Sequence, residues 1–263
     1  MFESEGRVMA QDYVTINRDV WNDDAENWVA GGRHLWSSEP QWGIWNLPDA
    51  DLGLLPKDLD GKDVIELGCG TGYVAGWMAK RGAQVTAIDV SEKQLATART
   101  LSQEHKVDIT FIEGNAEKTG LPDAAFDFAI SEYGAAIWCP PDIWLREAYR
   151  LLRPGGRLVF LGNHPLAIIC SPESGAPAER QLHRPYKGLW GADWTRVEID
   201  PSGICFVLSF SEWLALFREI GFEVENYQEL YAPEEQTEMR AFIPADWARD
   251  FPSEQVWHLR KPG

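Results

Sequence analysis

The sequence predicts an α/β fold, a mostly parallel sheet with helices on both faces. Three observations carry this. The stretch from Val64 to Asp89 reads as strand, glycine loop, helix and strand. Strand-like and helix-like patterns go on alternating from Ser91 to Leu161, the order that builds a parallel sheet through crossover helices. Hydrophobic residues make up 44% of the 263 positions, enough for the core of one α/β domain with insertions.

In chain order, residues 1–60 read as an N-terminal helical cap. Val20 to Ala30 is predicted helical, with Trp21, Ala25, Trp28 and Val29 on one face and Gly31-Gly32 ending it. Trp21, Trp28, Trp36, Trp42 and Trp45 all precede the core; they either cover a ligand or pack the helix onto the sheet. The first strand ends in Glu66, followed by Gly68, Gly70 and Gly72. The next helix stops at Gly82 behind Lys80 and Arg81, the expected chemistry of a helix end. The second strand, from Val85 to Ile88, ends in Asp89. Ser91 and Gln94 form a capping box, and Leu95, Ala98 and Leu101 mark the buried stripe of the helix behind it. Strands follow at 109–112 and 126–130, then a helix opening at Pro140-Pro141-Asp142 with Leu145, Ala148, Tyr149 and Leu152 inward. A Pro154-Gly155-Gly156 turn leads into a fifth strand, so the core runs over 61–161. Residues 162–210 are a predicted lid insertion, long for a simple connection. Cys205 to Phe210 fits either a strand or the approach to a helix. Residues 211–263 complete the sheet with a helix stopped at Gly221, a strand, and a last strand from Gln255 to Lys261.

The formal net charge of −17 argues against binding a phosphate backbone, which needs a lysine and arginine surface. No apolar run approaches the roughly 18 residues that span a bilayer, and the start lacks a signal-peptide shape, so a cytoplasmic location is expected. Cys69, Cys139, Cys170 and Cys205 show neither metal-ligand spacing nor a disulfide framework. No metal is expected. The acids Glu229, Glu234, Glu235 and Glu238 read as a solvated surface.

Glycines at 68, 70 and 72 allow close backbone approach to a ligand, and a carboxylate closing the next strand can grip a ribose hydroxyl pair. This predicts a nucleoside-containing ligand. Gly70, Gly72 and Ala75 also fit the dinucleotide spacing G-x-G-x-x-A, which keeps an NAD-type oxidoreductase open as an alternative. The string from Glu66 to Gly72 resembles the first motif of the class I S-adenosylmethionine-dependent methyltransferases. Three further matches follow in the family's order: Asn115-Ala116; Leu121-Pro122 with Phe126-Asp127; and Leu151 to Phe160 around Pro-Gly-Gly.

The resemblance implies a Rossmann-like, doubly wound seven-stranded sheet in the order 3-2-1-4-5-7-6, the last strand antiparallel. It implies S-adenosyl-L-methionine as cofactor, with S-adenosyl-L-homocysteine as product. It carries the cofactor site onto Glu66, Gly68, Cys69, Gly70 and Gly72; Asp89, Val90 and Gln94; Asn115, Ala116 and Glu117; and Ser131 and Glu132. Asn115 stands where the family more often has aspartate, at the adenine amino group. His164, after the fifth strand and pinned by Pro165, is a base candidate or a packed histidine; Tyr133 is a candidate for the acceptor site or a core ring. His34 and His183 are weaker candidates. The partner expected is a small, partly apolar methyl acceptor that takes the methyl on O, N or C, with no nucleic acid or membrane, in a monomer or homodimer. A cofactor-binding protein without catalysis is the remaining alternative.

Overall fold

A computed structural model describes residues 12–199 and 201–263; residues 1–11 of the expected cap and Asp200 of the expected lid lie outside the described residues. A seven-stranded sheet organises the chain. Its strands are β1 (Asp63–Leu67), β2 (Gln84–Asp89), β3 (Ile109–Glu113), β4 (Phe126–Glu132), β5 (Leu152–Asn163), β6 (Glu223–Leu230) and β7 (Glu254–Arg260). Their spatial order is 3-2-1-4-5-7-6, as the resemblance implies. β1 to β5 run parallel, whereas β7 pairs antiparallel with both β5 and β6.

Register sets what meets at the carboxyl rim. Glu66 lies beside Ala87 and Ile130, Glu132 beside Leu161, and Asn163 beside Glu254. Because β7 runs backwards, its first residues reach the rim where the parallel strands end. The order of connection reverses at β1 and β4, the place where ligands bind in open α/β sheets.

Alternate residues of each strand feed two cores. Val64, Val85, Ala87 and Val159 face α3 (Tyr73–Lys80) and α4 (Glu92–His105). Ile65, Leu158, Phe160 and Trp257 face α5 (Pro141–Leu151) and α7 (Phe210–Ile220). A third cluster holds Trp45, Ile168, Trp194, Val207 and Trp247, beneath the region after β5. Gly191–Asp193 and Ile204–Phe206 form a small antiparallel pair there.

Local signals hold with some corrections. Ser91 caps α4 by accepting from the Gln94 N–H at 3.1 Å, but the Ser91 N–H donates to Asp89 at 2.8 Å rather than to the Gln94 side chain. α7 begins one residue earlier than expected, because Ser209 and Glu212 form its capping box. The Pro-Gly-Gly turn is a bulge inside β5, with the register against β4 shifting between Phe126 and Phe128. The expected helix over 20–30 is two helices, α1 (Tyr13–Asp23) and α2 (Ala25–Ser37), broken at Asp24. Gly31 and Gly32 lie inside α2 and do not end it. A side chain on Gly32 would come within 2.5 Å of Thr71 Oγ1, so this glycine lets the helix seat on the loop between β1 and α3. Of the five early tryptophans, Trp36, Trp42 and Trp45 are packed in cores, whereas Trp21 and Trp28 line a cavity.

Candidate active site

A cavity of about 490 Å³ opens at the carboxyl rim, between the glycine loop, α1, and the segments that follow β5 and β6. The three loop glycines all have positive φ but serve different ends. A Cβ on Gly68 would lie 2.6 Å from the Ala135 nitrogen, so this glycine lets the β4 loop pass against the β1 loop. Gly70, at φ +51°, has no protein atom where its Cβ would be and faces the cavity. Gly72 is not among the lining residues and packs on Ala98 and Phe111.

Acids dominate the charged side chains of the lining. Asp89 accepts from the Gly70 N–H at 2.7 Å and the Ser91 N–H at 2.8 Å. Burial nevertheless raises its pKa. Glu66 accepts from the Ala75 N–H at 2.8 Å, which fixes the first turn of α3, and burial holds its carboxyl well above the ordinary range. Glu132 accepts from the Tyr73 hydroxyl and from the Gly43 N–H at 3.3 Å; burial again raises it.

Next to these, Val90, Gln94, Asn115, Ala116 and Glu117 line one end of the cavity. Asn115 Oδ1 is engaged by the Glu117 N–H at 2.8 Å. Glu117 accepts from the Tyr13 hydroxyl at 2.8 Å, which ties α1 down, and has the Cys139 thiol beside it, while the Gln94 amide nitrogen is buried without a partner. Asn17 of α1, 3% exposed, donates to the carbonyls of Trp138 and Ile204 and accepts from the Ile204 N–H at 2.8 Å. Trp21 packs between Trp28 and Trp138, with ring centres 5.3 and 5.5 Å apart, and Trp194 also lines the cavity.

Cys69, Glu132 and Tyr133 also line the cavity; Ser131 and His164 do not. The Ser131 hydroxyl donates to the Leu67 carbonyl at 2.7 Å and accepts from the Ala136 N–H, bracing β4 against β1. His164 is 1% exposed and caps the short helix α6 (Pro165–Ile169), its Nδ1 accepting from the Leu166 N–H at 3.1 Å. Its Nε2 lies 3.4 Å from Glu229, outside hydrogen-bonding geometry, and burial pushes the ring down to about 4. The base expected at His164 is thus a neutral helix cap, and Glu229 faces it instead of being simply solvated. His34 is exposed, and His183 pairs with Glu179 at 3.0 Å.

Residues missed in the sequence include Tyr73, Asn17, Trp138, Ser253 and the turn from Arg240 to Ile243. Tyr73 had a usable signal, its place directly after the glycine loop. The others reach the site only through long-range packing.

The lining decides between the two nucleoside ligands. Glu66, Asp89, Glu117 and Glu132 share the cavity with Arg240, the one basic side chain among the described lining residues. A dinucleotide brings a diphosphate, and the Gly70 N–H that would receive it is already donating to Asp89. S-adenosylmethionine brings a sulfonium and an ammonium, which suit carboxylates; the unpartnered Gln94 amide and the Glu117 carboxylate suit an adenine edge.

Comparisons with known proteins agree. A family model described as a methyltransferase domain matches residues 65–160. The 27-O-demethylrifamycin SV methyltransferase of Amycolatopsis mediterranei is 31% identical over 219 residues, 74% of this chain and 71% of that protein. The chain belongs to the class I S-adenosylmethionine-dependent methyltransferases. Its cofactor is S-adenosylmethionine. This methyltransferase is also 34% identical to the demethylmenaquinone methyltransferase of Thermus thermophilus over 123 residues, 46% of this chain and 54% of that protein. A crystal structure of an S-adenosylmethionine-dependent methyltransferase from Mesorhizobium loti shares the fold, with a TM-score of 0.66 at 24% identity, covering 83% of this chain and all of that one.

Proposed function

We propose that this methyltransferase transfers a methyl group to an O, N or C atom of a small, partly apolar molecule held between the N-terminal helices and the segment after β5. The observation that carries this reading is the apolar part of the cavity lining, built from Trp21, Trp28, Trp138, Trp194, Ile137 and Phe242. Such a surface accepts an aromatic or polyketide-like body and excludes water. The similarity to enzymes named for rifamycin and menaquinone precursors supports the same class of acceptor.

The bound cofactor supplies a methyl group already activated on a cationic sulfur. Asp89 is assigned to the ribose hydroxyls, with Asn115, Ala116 and Glu117 at the adenine. Glu66 and Glu132 are assigned to the amino-acid end, where buried carboxylates meet an ammonium. Gly70 leaves room for the adenosyl group. The protein's main contribution is orientation, which supplies up to about 7–11 kcal/mol in favourable cases. The whole chain acts as one domain in this reading, and its free cysteines support a reducing compartment such as the cytoplasm.

The test is calorimetric titration with S-adenosylmethionine and NAD, followed by a screen of phenols, quinols and carboxylic acids with a radiolabelled methyl donor. Cofactor binding with label transfer is expected. Tight NAD binding alone would return the oxidoreductase reading. Cofactor binding with no transfer across the screen would return the non-catalytic one.

A further inference from the structure

We propose that Tyr133 and Glu254 form a proton relay: the proton leaving a hydroxyl acceptor passes to the Tyr133 hydroxyl while the Tyr133 proton passes to the Glu254 carboxylate. The relay rests on the methyl-transfer reading above and adds to it the fate of the proton, for which His164 is out of reach.

The geometry is specific. Tyr133 lines the cavity; Glu254 lies behind it, fully buried, and accepts the Tyr133 hydroxyl at 2.8 Å. The Ile44 N–H donates to the same oxygen, Oε1, at 3.0 Å, and Oε2 has no hydrogen-bond partner. Tyr133 is held at φ +50°, a conformation that side chains other than glycine rarely adopt and that persists where the surroundings impose it. The titratable groups around Glu254 are Tyr133 itself and Glu132, with Tyr73 behind Glu132. The backbone N–H groups of Gly43 and Ile44 cover the pair of glutamates from the hairpin of Gln41–Trp42 and Leu47–Pro48.

Burial pushes the Glu254 carboxyl up to about 8, with Glu132 adding to the rise and the bonds from Tyr133 and Ile44 opposing it. Without ligand at pH 7 the group therefore holds its proton most of the time. An opposite charge nearby lowers a carboxyl by about 1–3 units. A sulfonium held within about 4–6 Å of Glu254 would lower the carboxyl enough for it to lose its proton and stand as the carboxylate. When the methyl group moves, the S–CH3 bond breaks with its electron pair staying on sulfur, the O–CH3 bond forms, and the acceptor's O–H bond is lost. The positive charge disappears, Glu254 regains its affinity for a proton, and the relay delivers one. One cation and one carboxylate become a neutral thioether and a neutral acid.

The test needs no acceptor. Calorimetric titrations of the full chain in buffers of different ionisation enthalpy count protons released on binding S-adenosylmethionine and S-adenosylhomocysteine, which differ by the methyl and its charge. At pH 7 the methylated ligand should release about 0.4–0.9 proton more than the demethylated one. Glu254→Gln should remove most of that difference. In the wild-type chain the difference should also collapse at pH 9.5, where Glu254 is ionised beforehand, so the result does not depend on the variant folding. No extra proton, or a difference unchanged by the substitution or by pH, overturns the relay while leaving methyl transfer intact. Failure of S-adenosylmethionine to bind at all overturns the reading beneath it.

Discussion

Replacing Asp89 by asparagine keeps the shape of the side chain and removes its charge. Each carboxylate oxygen of Asp89 already takes one backbone N–H, from Gly70 and from Ser91, and keeps a lone pair for a ribose hydroxyl. An amide has one accepting oxygen, so its NH2 must confront one of these N–H groups. Loss of a hydrogen bond to a charged group costs about 1.5–3 kcal/mol, which predicts about 10- to 150-fold weaker binding. The stranded N–H should lower protein stability by about 1–3 kcal/mol as well. Titration calorimetry with S-adenosylhomocysteine reads the first effect without turnover, and urea denaturation reads the second. A dissociation constant within twofold of wild type would refute the assignment of Asp89 to the ribose, even if stability fell as expected.

Two of the loop glycines should separate by phenotype. Gly68→Ala meets backbone at 2.6 Å and a left-handed φ, and should lower Tm by at least about 6 °C; Gly70→Ala meets nothing in the protein, and should cost only about 1–2 kcal/mol of stability while weakening cofactor binding more than about tenfold. For His164, burial lowers the folded ring to about 4 against 6.5 unfolded, so its titration leaves the fold unaffected above pH 6.5 and penalises it progressively down to pH 4, by on the order of 3 kcal/mol. His164→Asn keeps a capping side chain without that titration; its urea midpoint should fall less than the wild type's between pH 7 and 4.5, and its cofactor affinity should stay within twofold. Asn17→Ala strands the buried carbonyls of Trp138 and Ile204, and should speed hydrogen exchange across Tyr13–Asp23 and Ile204–Phe206 together, at about 2–4 kcal/mol. Exchange that rises in one segment alone would show that Asn17 does not couple them.

The parts of the site that were legible in the sequence are local. Glu66, the glycines and Asp89 lie within one βαβ unit, where strand, turn and helix signals fix their relative positions. Asn115, Ala116 and Glu117, proposed for the adenine, came from motif matches, and they too line the cavity. Glu254 was invisible because 121 residues separate it from Tyr133, and only the antiparallel pairing of β7 with β5 brings them together. His164 was misjudged because a strand end points toward the ligand crevice, but proline at the next position is also the mark of a first helical residue, and that signal decided the outcome. Gly31 and Gly32 read as a stop because local rules cannot see Thr71 pressed against the helix. The tryptophans divided the same way: Trp36 and Trp42 entered the core under α2, whereas Trp21 and Trp28 stayed at the cavity.

The sheet order also dictates a sequence of assembly. β6 touches the sheet only through β7, which follows it in the chain. While β7 is undocked, β6 has no neighbour with which to form a ladder, and Glu229 has no fixed place beside His164. Docking β7 therefore zips two strands at once and brings Ser253 and Glu254 to the rim in the same event. Contacts spanning so much chain close slowly, so pulsed hydrogen exchange during refolding is expected to protect β6 and β7 after β1 and β2.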